Sequence, residues 1–250
     1  MTAITLLTDF GTADYFVGAM KGVILSINPE AVIADITHEI PAQDVAAGAF
    51  QLLAAYATFP PGTIHVAVVD PGVGSERRPI VVNAGGYFFV GPDNGIFTYV
   101  YEREPAFEVT HVTETRYFRH PVSTTFHGRD IFAPVAAALS TRIDLSSLGT
   151  RISDPIRLST LTGPQVIHID HFGNLITNIR CDSFEEGTAL SLNGRVITNF
   201  RRFFGEQVGN AGEPFMIWGS AGFLEISVNG QSAALKLRAA NGDVVILNHN

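Results

Sequence analysis

The chain has 250 residues, 46% of them hydrophobic and 16% charged, with a formal net charge of −8. That balance describes a protein able to bury a substantial core and excludes a disordered one. Lys and Arg are scattered and the pairs Arg77–Arg78 and Arg201–Arg202 stand alone, so no basic track exists for a phosphate backbone and no nucleic-acid partner is expected.

Cys181 is the single cysteine, which excludes an internal disulfide and a thiolate metal cluster. The opening MTAITLLTDFGT lacks a basic leader and reaches an acid at Asp9. No apolar run approaches the ~20 residues of a membrane-spanning helix. A cytoplasmic protein with no membrane partner is the expectation.

Ile4–Thr8 reads as a short apolar strand ending at Asp9, and Gly11-Thr12 as a turn. Tyr15–Ile27 carries Phe16, Met20, Val23, Ile24 and Ile27 at helical spacing and stops before Asn28-Pro29. Ala31–Ile36 is strand-like again. Asp44 can cap an Ala-rich helix running to about Thr58, where Pro60-Pro61-Gly62 ends it. Ile64–Val69 is a continuous Val/Ile-rich run, as in a strand covered on both faces. Strands at Ile80–Asn83 and Tyr87–Val90 and helices near Gly95–Tyr101 and Arg129–Ser140 complete an alternation that predicts an α/β, Rossmann-like N-terminal domain with a mainly parallel sheet.

The texture changes near Ser153. Val166–Asp170, Leu175–Ile179, Ala189–Leu192, Val196–Ile197, Phe215–Trp218, Phe223–Val228, Ala233–Leu237 and Asp243–Leu247 all read as strands. Asn193-Gly194 and Asn241-Gly242 mark hairpin turns. The expected organisation is an N-terminal domain over 1–157, a linker over 158–164 and a small all-β antiparallel barrel or sandwich over 165–250.

Three clusters can carry chemistry. In open α/β sheets ligands gather at the carboxyl ends of the strands, where Asp9 and Asp70 fall. Either acid alone can equally cap the next turn. Asp70, however, opens VVDPGVGSERR, in which Gly72 and Gly74 allow positive φ and close backbone approach. The loop has neither the Gly-Lys-Ser/Thr nor the GxGxxG spacing of phosphate cradles. The second cluster, STTFHGRD, places His127 beside Gly128. A solitary loop histidine is more often a surface residue than a catalyst. The third, IDHFGNLITNI, gathers Asp170, His171, Asn174, Thr177 and Asn178, a set that also suits an Asx-bonded turn. None has the HExxH spacing of a zinc site, and no Gly-x-Ser-x-Gly elbow occurs, so neither a metal nor a serine nucleophile is expected.

Together the segments LLTDFGTADYFVGAMKGVI, VVDPGVGSERRPI, GPDNGI, TTFHGRDIFAP, IDHFGNLITNI and GSAGFLEISVN resemble one family over essentially the whole chain. It is the S-adenosylmethionine hydroxide adenosyltransferases, relatives of the fluorinating and chlorinating enzymes that attack the same sulfonium. The resemblance implies an N-terminal α/β domain, a C-terminal β-barrel and a homotrimer with ligand sites where neighbouring subunits meet. It implies hydrolysis of S-adenosylmethionine, as substrate and with no cofactor, to adenosine and methionine. The water-activating triad falls on Asp70, Arg77 and His127. Asp9 matches the acid that accepts from the ribose hydroxyls, and Asp14 and Asp170 match positions near the methionine ammonium. Asn174 matches the adenine-reading amide, Phe204 an aromatic wall, and Ser220 a carboxylate contact. Main-chain groups near Val228 and Gly230 match the adenine edge, and Thr125 and Phe126 the lining of the reaction centre. Gln43 stands where the fluorinating enzymes have a tryptophan and Ala221 where they have an arginine, a loss for which Glu225 can compensate. The fluorinating enzymes also carry a long insertion in this domain, whereas Val82–Tyr87 turns directly here. Water is therefore the expected nucleophile; a halogenating enzyme and a non-catalytic adenosine-binding protein are the alternatives.

Overall fold

Strands β1 (Ala3–Thr8) and β3 (Ile64–Val68) alternate side chains between two covered faces, which is why both read as unbroken apolar runs. The computed structural model describes residues 2–248 except 160, 186, 208 and 211, so Thr160 of the expected linker and residues 249–250 of the expected barrel lie outside the described residues. Chain packing divides it into two units, one ending at Leu158 and the other beginning at Ser159.

In the first unit β1 leads into α1 (Phe16–Ile27), β2 (Val32–Thr37), α2 (Val45–Ala55), β3, β4 (Pro79–Ala84), β5 (Tyr87–Pro92), α3 (Thr98–Arg103), β6 (Phe107–Val112), α4 (Ala133–Ser140) and β7 (Gly149–Ile152). The seven strands lie in the order β2-β1-β3-β5-β4-β6-β7. Pairing is parallel from β2 to β5 and antiparallel beyond, so that among the described residues all strands but β4 and β7 run one way. Ile4, Leu6, Val66 and Val68 face a core shared with α1 and α4. On the opposite face Thr5 and His65 are joined by a 2.7 Å hydrogen bond, and His65 packs against Tyr56 and Phe59 at the end of α2. The β4–β5 turn is a two-residue hairpin through Gly85 (φ 58°) and Gly86 (φ 83°), as its direct course in the sequence required.

Two strands of this sheet, β6 and β7, carry no expectation from the sequence, and α3 starts three residues after Gly95. There Asn94 Oδ1 accepts from the Ile96 amide and delays the first helical turn.

The second unit contains β8 (Val166–Ile169), β9 (Leu175–Arg180), β10 (Ala189–Leu192), β11 (Arg195–Ile197), β12 (Phe215–Trp218), β13 (Phe223–Ser227), α5 (Ala233–Leu237) and β14 (Ile246–Asn248). They form two antiparallel sheets, β11-β10-β14 and β12-β13-β9-β8. Single bridges, Gln165–Val244 and Phe200–Met216, join their edges in place of continuous ladders. The core between them includes Val166, Leu190, Met216, Leu224 and Ile226.

One expected strand is overturned. Ala233–Leu237 is a helix, capped by the Ser232 hydroxyl accepting from the Leu235 amide and closed by Arg238 at φ 51°. The expected hairpin across Asn241-Gly242 therefore does not form, and the last strand starts at Ile246.

The Asp44 carboxylate accepts from the Ala47 amide at 2.9 Å and caps α2 as the sequence indicates. Asp44→Ala is expected to lower stability by about 1 kcal/mol in urea denaturation.

Candidate active site

Thr8 of β1 pairs with Val68 of β3 in parallel register, so Asp9 and Asp70 leave neighbouring strands at the same carboxyl edge. Asp70 enters a tight loop in which the Val73 amide donates to its carbonyl and the Ser75 amide to that of Gly72. Gly74 (φ 79°) is pressed against the next cluster: a Cβ there would lie 2.3 Å from the Thr124 carbonyl oxygen. Only glycine meets both demands.

That contact sets the VVDPGVGSERR loop against STTFHGRD. Arg77 Nε donates to Asp70 Oδ1 at 2.9 Å and Oδ2 at 3.0 Å, and Nη2 also reaches Oδ2. The same Nη2 lies 2.7 Å from His127 Nδ1. One guanidinium thus joins all three residues of the expected triad. The side chains of Asp70 and Arg77 are only 5% and 9% exposed, which makes this a nearly dry ion pair. Arg77 also stacks over Phe132, 5.1 Å from the ring centre.

Because a guanidinium can only donate, His127 Nδ1 must accept, and the neutral imidazole carries its proton on Nε2. Burial, and then the Arg77 cation, hold the His127 pKa below its ordinary value. His127 begins a π-helical turn, Gly128–Phe132, which π geometry often marks at functional sites. Gly128 leaves room there for Met20 and Phe10; a Cβ would stand 3.2 Å from both.

Around this centre Asp9 Oδ2 accepts from the amide of Gln43, which is held at φ 67°. Phe126 is buried edge-on among Phe10, Tyr15 and Phe16, with Thr125 exposed beside it. Asp14 is exposed in the turn before α1.

In the second unit Asp170 locks its own turn. Oδ1 accepts from the amides of Phe172 and Asn174, and Oδ2 from the Asn174 side chain. Asn174, Phe204, Val228 and Gly230 line one cavity of about 550 Å³ with Phe172, Gln231 and Ser232. This size suits a small-molecule ligand. Ser220 is exposed in the β12–β13 turn, and Glu225 is half-buried on β13; neither lines that cavity. Burial, and then the Asp170 charge, push the Glu225 carboxyl pKa up.

Phe172 was not expected from the sequence. Its ring is 75% exposed at a cavity wall. The available signal was an aromatic residue between Asp-His and Gly-Asn, where turn chemistry calls for polar groups.

The SAM hydroxide adenosyltransferase N-terminal domain model matches residues 4–149 and the C-terminal domain model residues 164–246. The chain belongs to the SAM hydroxide adenosyltransferase family. Among curated relatives of this family, the (R)-S-adenosyl-L-methionine hydrolase of Methanocaldococcus jannaschii is 48% identical over 72% of this chain and 67% of its own. That of Thermus thermophilus is 35% identical over 97% and 98%. A fluorinase of an Actinoplanes species is a more distant relative, 27% identical over 90% of each chain. The crystal structure of an uncharacterized conserved protein from Thermotoga maritima superposes with a TM-score of 0.91 at 35% identity, over 98% of this chain and 100% of that one.

Arg77→Gln removes the cation that faces His127 and leaves Asp70 to attract a proton there. The His127 titration midpoint, followed by NMR of its ring protons, is expected to rise, with burial still holding it down in part. An unmoved midpoint would show that burial alone sets it.

Proposed function

We propose that this adenosyltransferase-family chain hydrolyses (R)-S-adenosyl-L-methionine to adenosine and L-methionine. The observation that carries the reading is the single Arg77 guanidinium shared by Asp70 and His127, in a chain 35–48% identical to hydrolases of that name.

The reaction is an in-line displacement at the ribose 5′ carbon. A water oxygen forms the new bond to carbon, the carbon–sulfur bond breaks with its electron pair going to sulfur, and one proton leaves the water. Sulfonium is already a good leaving group, so the protein has to align water, carbon and sulfur and take the proton. Alignment alone can supply roughly 7–11 kcal/mol. Asp70 is the proton acceptor in this scheme, because Arg77 occupies the basic nitrogen of His127. The His127 Nε2–H donates to the water oxygen and turns its protons toward Asp70. Arg77 stays charged throughout and favours the developing hydroxide.

Asp9 accepts from the ribose hydroxyls, with Thr125 and Phe126 lining the reacting carbon. The cavity of the second unit takes adenine, read by Asn174 and the main chain near Val228 and Gly230, with Phe204 as a wall. Asp14, Asp170 and Glu225 face the methionine ammonium, and Ser220 its carboxylate. The reaction as written needs no cofactor. In this reading the chain works in the cytoplasm as a homotrimer whose copies complete one another's sites. The second unit is a small barrel closed by the two single bridges.

Incubation in ¹⁸O water should place label in the adenosine 5′ hydroxyl. Tight binding without turnover would instead identify a non-catalytic adenosine-binding protein, and chloride-dependent formation of chlorodeoxyadenosine a halogenating enzyme. Asp70→Asn should lower kcat by roughly 10²–10⁴-fold while calorimetry still detects binding. Neutral His127 is the working form and its pKa is lowered. Activity should therefore persist as pH falls through about 6.5 and fail only below it, in a kcat/KM profile.

A further inference from the structure

We propose that Asp130 is a positioning residue for this hydrolysis, its buried carboxylate closing the Ser123–Asp130 loop so that His127 is held in one tautomer against Arg77. The inference rests on the hydrolase reading and adds to it a residue that touches none of the reacting atoms.

The Asp130 side chain has no exposure at all, yet its carboxylate accepts from four donor atoms of three residues, two of them arginines. The Ser123 amide donates to Oδ2 at 2.9 Å, across seven residues, and so ties the start of the loop to its end. Arg129 donates a fork, Nε to Oδ1 at 2.7 Å and Nη2 to Oδ2 at 2.9 Å. Arg119 Nη1 reaches Oδ1 at 3.3 Å, while the Arg119 amide donates to the Asp130 carbonyl. The Asp130 amide in turn donates to the Phe126 carbonyl. Burial alone would raise the Asp130 pKa, but the Arg129 bond and its companions outweigh it and keep the carboxylate ionised.

His127 lies inside this closed loop, and its neighbour Phe126 is covered by the Arg129 guanidinium at 5.0 Å. The loop's contacts through Thr124 against Gly74, Gly128 against Met20 and Phe10, and Phe126 against Phe10, Tyr15 and Phe16 are steric and set distances of approach. Direction has to come from the polar closure. Losing it lets the imidazole rotate off Arg77, which frees Nδ1 and allows both tautomers. A misplacement of about 1 Å in such a group can cost about 10²-fold in rate.

The test uses the full chain, with wild-type turnover of S-adenosylmethionine as the reference. Absence of that turnover would defeat the hydrolase reading, whereas the imidazole readout stands without it. In Asp130→Asn, kcat is expected to fall about 10²-fold with KM changed by less than about threefold. The ¹⁵N spectrum of His127 should change from a single Nε2–H tautomer to an averaged pair. If that variant does not fold, Arg129→Gln, which removes the fork but keeps the carboxylate, is read by the same two measurements. Either readout remaining at its wild-type value in the folded variant overturns the proposal, since a role in stability alone would leave the tautomer of folded molecules unchanged.

Discussion

A guanidinium that cannot give up its charge, shared between a carboxylate and an imidazole, is the constraint on which the rest of the site depends. Its fork fits both oxygens of Asp70, and its remaining edge points one proton at His127 Nδ1. Every other requirement follows from that sharing. The ion pair has to be nearly dry to be strong, so it sits at the buried end of β3. Arg77 has to return to Asp70 within seven residues, so the loop turns tightly and one of its glycines meets the Thr124 backbone. The imidazole has to remain neutral, which burial and the adjacent cation together ensure.

The two units are organised by different physics. The first relies on charge: dry carboxylates, guanidinium forks and an imidazole whose proton is fixed in place. The second relies on shape and main chain. There Asp170 spends both oxygens organising its own turn, and the cavity wall is made by Asn174, by aromatic rings and by the Val228–Ser232 segment. Electrostatic errors are costly in the first unit, because a buried ion pair that loses one partner leaves an uncompensated charge worth about 3–5 kcal/mol. In the second the sensitive quantity is volume.

What the sequence made legible follows the same division. Elements buried on both faces announced themselves as Val/Ile runs or helical stripes, so β1, α1, β3 and α4 were readable. β6 was not, because Glu108, Thr110 and His111 interrupt its apolar pattern, nor was β7, a four-residue strand at the edge of the sheet. Ala233–Leu237 was misread because five residues cannot display a helical period; the decisive sign was the capping Ser232 just before it. At the site, glycine-rich turns pointed to Asp70 and His127. That one arginine joins them was not readable from spacing, since Arg77 and His127 are fifty residues apart. The role of Asp130 is hidden for the same reason: its partners Ser123 and Arg119 gain meaning only when the loop closes.

Ser232 does three things at once, and this bears on how the cavity can change over time. Its hydroxyl caps α5, its side chain lines the cavity, and it crowds Gly173 so closely that a Cβ there would lie 2.1 Å from its oxygen. A substitution that reshapes the pocket at either position also disturbs a helix start or a backbone at φ 82°. The shape of the cavity is consequently hard to change by single steps at these two positions. Phe172 and Phe204, which also line the cavity, are 75% and 45% exposed and take no part in capping a helix.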